Sequence, residues 1–207
     1  MTEKILILGI GNILWADEGF GVRAVQALQQ GFDFPENVSL VDGGTQGLGL
    51  IPYVQEADTL VILDAVDFHL PPGSLVELSN DAVPAYFGAK KMSLHQVSFQ
   101  EVLALSELLG KRPENLYLVG VQPELLEDYG GSLTATVRAQ LEPAMQRVLA
   151  YLQTHAISAR RKQEDPGVSG DALALANYEL QRPAPDAACR IGDARFLNLR
   201  EAGHSCA

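Results

Sequence analysis

Ile5-Leu6-Ile7-Leu8-Gly9-Ile10-Gly11-Asn12-Ile13-Leu14-Trp15-Ala16-Asp17-Glu18-Gly19-Phe20-Gly21-Val22 decides the fold class. Six residues of mostly branched apolar side chains, with no polar alternation, read as a strand covered on both faces. A glycine-punctuated loop follows. From Gly19 to Gln30, Val22, Val25 and Leu28 share one face at helical spacing. A buried strand running through a tight loop into an amphipathic helix is the opening unit of a parallel α/β sheet.

The same grammar repeats downstream. Val38–Val41, Leu60–Leu63 and Leu116–Val121 read as further buried strands, and Leu75–Leu78 as an edge strand. Helices are expected over Gly47–Ala57, Phe99–Leu109 and Ser132–Gln153, the last with Pro143 as a kink and the second closed by Gly110 and Pro113. The order β-α-β-α-β-β-α-β-α predicts a three-layer αβα sandwich around a mostly parallel, twisted open sheet of about five strands.

Of the 207 residues, 47% are apolar and 20% charged, a globular composition. The net charge of −11 argues against a nucleic-acid partner and against an electrostatic membrane-surface binder. No apolar run approaches the roughly 20 residues of a membrane span. The N-terminal apolar run is too short for a signal sequence, so a cytoplasmic protein is expected. The acidic imbalance belongs to residues 1–155, read as one domain. Residues 156–207 are charge-balanced, mix Ala, Pro and Gly with charge, are weakly helical only over Ala172–Leu180, and read as a flexible C-terminal tail, with a docked arm as the alternative. Both cysteines, Cys189 and Cys206, lie in that tail, so the domain holds no disulfide framework and no thiol nucleophile.

Ligands of open α/β sheets bind beyond the carboxyl ends of the strands. After the first strand come Asp17 and Glu18, after the second Asp42-Gly43-Gly44-Thr45-Gln46-Gly47, and after the third Asp64-Ala65-Val66-Asp67. A dinucleotide fingerprint fails, because its third glycine falls on Leu14 and two acids stand where phosphate would sit. Asp17 suits a helix cap, and each acid alone has an ordinary turn or cap role. Three strand ends bearing carboxylates at one edge point instead to a site. Of four histidines, His95 is the one placed before a helix where it can meet Glu18 and Asp64. Two carboxylates and one imidazole suit a borderline divalent metal such as nickel or zinc. The chain lacks the Asp-Thr-Gly pairs of pepsin-like proteases, the His-Glu-x-x-His of common zinc proteases and the Gly-x-Ser-x-Gly of serine hydrolases.

The loop from Gly9 to Val22, Asp42 to Gly47, Asp64 to Val66, Pro72-Gly73, Gly88 to Gln96, Gly120 to Pro123 and Gly130 to Thr134 together resemble, in order, the nickel–iron hydrogenase maturation endopeptidases. The Gly88–Gln96 stretch is most similar to their uptake-hydrogenase subgroup, the HupD, HyaD and HoxM types. The resemblance spans about residues 4–153. It implies a peptidase that cuts a C-terminal extension from the hydrogenase large-subunit precursor after nickel insertion. It places nickel carried by the substrate on Glu18, Asp64 and His95, with no other cofactor. Asp42 matches a further acid of the family. Water would be activated by nickel or by a carboxylate, Asp42 for preference. A monomer forming a transient complex with the precursor is expected. The alternative is a non-proteolytic nickel-binding chaperone of hydrogenase assembly.

Overall fold

The computed structural model describes residues 2–89, 94–163 and 173–182, with the side chains of 86–89 and 94–98 outside the description. The opening unit forms as expected: β1, Ile5–Ile10, runs into α1, Phe20–Gly31. Then follow β2 (Phe32–Asp33), β3 (Val38–Gly44), a short 3-10 turn and α2 (Ile51–Glu56), and β4 (Thr59–Ala65). β5 (Leu75–Ser79), α3 (Ala82–Ala89), α4 (Leu94–Leu108) and β6 (Asn115–Val121) come next. The chain continues through α5 (Ala135–Arg138), α6 (Leu141–Thr154), β7 (Arg160–Arg161) and α7 (Leu175–Gln181).

Five strands build one sheet in the order β3-β1-β4-β6-β5. The first four are mutually parallel, and β5 pairs antiparallel with β6 at the edge. Strand side chains alternate faces, so the continuous apolar runs feed two cores at once. Ile5, Ile7, Val61, Leu63 and Val119 pack under α1 and α6, against Phe20, Val25, Leu28, Met145 and Val148. Leu6, Leu8, Leu60, Ile62 and Leu118 pack on the other face, against Val54, Phe99, Val102 and Leu103. That is the expected αβα sandwich.

Several local readings change. α4 begins at Leu94 and not at Phe99, so His95 lies in its first turn and not before it, and α3 is a helix the pattern does not announce. The helix expected over Ser132–Gln153 is two, α5 and α6. Pro143 sits in the first turn of α6, where its missing N–H breaks no helical bond, so the proline opens that helix instead of kinking it. Phe32–Asp33 also pairs antiparallel with Arg160–Arg161, so the segment after 156 begins against the domain.

Candidate active site

Glycines bring the site together. Gly9, near the end of β1, has Asp42 of β3 beside it in register on one side and Leu63 of β4 on the other. A side chain on Gly9 would meet the Gly21 carbonyl oxygen at 2.4 Å, and one on Gly21 would meet the Leu63 carbonyl oxygen at 2.0 Å. The end of β1, the start of α1 and the end of β4 therefore touch backbone to backbone. Gly11 has φ +129, and a Cβ there would lie 1.8 Å from the carbonyl oxygen of Glu18. Only glycine lets the loop fold back so that the turn Ala16–Gly19 sits on the strand ends.

The three acids arrive by topology. Asp42 lies in β3, Glu18 in the turn that follows β1, and Asp64 next to last in β4, opposite Gly120 of β6. Because β1 runs between β3 and β4, the Glu18 turn issues between the strands that bear Asp42 and Asp64. Asp64 is fully buried, Glu18 half-buried and Asp42 open to solvent on one side. Partial burial raises the Asp42 carboxyl above its ordinary 3.8, against the pull of the Gly44 N–H, Arg23 and a hydrogen bond from Gln26. The side chain of Gln46 donates to the Asp42 carbonyl at 3.1 Å and steadies the turn beneath it.

His95 is the second residue of α4, and its side chain lies outside the described residues, as do Lys90 and Lys91. Among the described residues no three His, Cys, Asp or Glu groups gather closely enough to hold a metal. The two cysteines and His204 also lie outside them.

Asp17 plays a different part from the cap expected of it. The N-cap of α1 is Gly19, with no side-chain cap. Asp17 is instead fully buried, and its carboxylate accepts four hydrogen bonds from the loop after β6. The donors are the backbone N–H groups of Glu124 (3.0 Å), Leu125 (2.9 Å) and Thr134 (2.7 Å) and the Thr134 hydroxyl (3.1 Å). The Gly130 N–H adds a bond to the Leu14 carbonyl at 2.8 Å, and Trp15 packs edge-on to Tyr129 at 5.3 Å. Trp15 is thus an anchor between two loops. Ala16 holds φ +39, a left-handed conformation unfavourable for alanine, in the middle of this clamp. The bonds on Asp17 keep that turn, and Glu18 with it, in one geometry. Nothing in the local sequence announces this role, since every donor lies more than a hundred positions downstream.

Such a site offers carboxylates of different burial at one sheet edge, suited to ligating a cation and to proton transfer. The family model for hydrogenase maturation proteases matches residues 22–151. The chain is 52% identical over 198 residues to the hydrogenase expression/formation protein HupD of Thiocapsa roseopersicina, covering 94% of this chain and 90% of that protein. It is 54% identical over 197 residues to HoxM of Azotobacter vinelandii, covering 95% of each. Among solved structures, the hydrogenase maturating endopeptidase HybD from E. coli superposes with a TM-score of 0.74 at 42% identity, covering 77% of this chain and 98% of that one. No helix among the described residues is long and apolar enough to cross a membrane. In fold and sequence alike, the chain belongs to the hydrogenase maturation proteases and is an endopeptidase.

Proposed function

We propose that this endopeptidase removes the C-terminal extension of a nickel–iron hydrogenase large-subunit precursor, and does so once nickel is in place. Glu18, Asp64 and His95 take the nickel that arrives with the substrate, so the metal is a recognition element belonging to the precursor. The observation that carries this reading is the delivery of Asp42, the Glu18 turn and Asp64 to one sheet edge by three adjacent parallel strands. Family membership supports the endopeptidase over the chaperone alternative.

Peptide hydrolysis needs a water deprotonated as it attacks the scissile carbonyl, and a proton for the departing amine. Asp42 suits the role of base. Partial burial holds its carboxyl above the ordinary value, which makes the carboxylate a better base while it stays open to water. The water oxygen bonds to the carbonyl carbon and its proton passes to Asp42. As the C–N bond breaks, Asp42 returns that proton to the leaving nitrogen. Nickel supplies polarisation at the reacting end of the precursor. The burial of Asp64 strengthens its attraction to a cation, because little water screens it.

The test is a gel-mobility assay on the precursor, nickel-loaded and nickel-free. Cleavage of the loaded form alone is the expected result. Equal cleavage of both forms would remove nickel as the gate. Retention of the loaded form without cleavage would favour the chaperone.

A further inference from the structure

α7 lies far beyond the matched family model, yet it is fastened to two parts of the domain. On one side is Arg23 of α1, 3% exposed. Its guanidinium donates to the Leu173 carbonyl and to Gln26 Oε1 (3.0 Å), and lies over the Tyr178 ring at 5.4 Å from the centroid. On the other side is the loop that clamps Asp17. The Tyr178 hydroxyl donates to the Gly131 carbonyl at 3.2 Å, and the Ser132 hydroxyl donates to Glu179 Oε1 at 2.8 Å. Arg138 of α5 pairs with both oxygens of Glu179, at 2.7 and 2.6 Å. Burial alone would raise Glu179, but the Ser132 hydroxyl and Arg138 outweigh it and hold this carboxyl below its ordinary range, as a working ion pair requires.

We infer that residues 173–182 are a strap that positions the site: Tyr178 and Glu179 tie the 129–134 loop to α1, and through Thr134 and Asp17 they hold the turn that bears Glu18. The inference rests on the endopeptidase reading. The path runs without a break from the strap to Gly131 and Ser132, to Thr134 two residues on, to the Asp17 carboxylate and then to Glu18. Tyr178 and Glu179 act on the loop through these contacts and are positioning residues, whereas Arg23 beneath them also draws the Asp42 carboxyl down. The HupD and HoxM matches cover too much of the chain to leave out most of 156–207, whereas HybD is almost wholly used up in matching about three quarters of it. The longer relatives thus carry matching sequence over most of the region in which the strap lies. A preformed turn needs no ordering when precursor binds, and ordering opposes affinity.

The experiment compares the full-length chain with its Tyr178→Ala/Glu179→Ala double variant in two readings. The first is backbone amide exchange without precursor. The Gly130 and Thr134 amides are expected to exchange at least tenfold faster in the variant, with those of β4 and β6 unchanged. The second is cleavage of nickel-loaded precursor well below the melting temperature. KM is expected to rise about tenfold with kcat held, and Tyr178→Phe, which keeps the ring over Arg23, to recover part of it. Unchanged exchange overturns the inference. So does a raised KM with unchanged exchange, which would make the strap a direct precursor contact, and so does faster exchange with an unchanged KM. A wild-type chain that fails to cleave overturns the endopeptidase reading instead, and amide exchange alone then decides whether the strap holds the loop.

Discussion

The two ends of the parallel sheet handle their polar groups in opposite ways. At the amino end, each group answers another. Glu3 accepts from the Thr59 hydroxyl and meets His155 Nδ1 at 2.9 Å, Asn115 donates to Thr59 at 3.1 Å, and Asp58 accepts the Lys4 backbone N–H at 2.8 Å. That end joins the last turn of α6 to the strand starts. At the carboxyl end the topology collects acids of like sign, Asp42, Glu18 and Asp64, and the backbone beneath them is pressed together through glycines. One end is closed by its own hydrogen bonds; the other is where the proposed nickel would be met.

The largest effect should come from disturbing the carboxyl end's backbone. Gly11→Ala puts a methyl group where the Glu18 carbonyl oxygen stands, at a φ that alanine avoids. A loss of about 3 kcal/mol is expected, read from the urea midpoint, with cleavage lost alongside. Unaltered stability would show that the turn does not depend on this contact.

Smaller changes sharpen the contrast between the ends. His155→Ala removes one partner from the closed network and should lower stability by about 1 kcal/mol without altering cleavage at moderate temperature. Asp42→Asn should move stability the other way. A carboxyl whose folded value is raised contributes its full stability below the ordinary 3.8 and loses it as pH rises through the folded value, so ionised Asp42 weighs against the fold at neutral pH. The amide removes that burden, and the melting temperature at pH 7 should rise slightly while cleavage falls. A fall in both variants would mean that the two ends are built alike.

How much of this was legible in the sequence follows from where the information lies. Continuous runs such as Ile5–Ile10 and Leu116–Val121 announce buried strands because both of their faces must be covered, and strand order then fixes which end carries the acids. The 3-10 turns, the break between α5 and α6 and the two-residue β2–β7 pair leave too short a pattern to read. Asp17 and the strap were hidden for a different reason. Asp17 depends on polar contacts more than a hundred positions away and the strap on contacts 41 to 150 positions away, and polar contacts leave no periodicity. The patternless mix of Ala, Pro, Gly and charge over 156–207 reads as a tail, but ten of those residues, 173–182, are fastened by a buried arginine and an ion pair on the domain.

The central claim is that the acids at the carboxyl end, with His95, recognise nickel brought by the precursor. The most direct measurement is the ratio of affinities for nickel-loaded and nickel-free precursor, taken for the wild type and for Glu18→Gln, Asp64→Asn and His95→Ala. The wild type should bind the loaded form at least tenfold more tightly, and each variant should bring that ratio close to one while keeping its fold. Equal affinities in the wild type, or a ratio that all three variants preserve, would contradict the account.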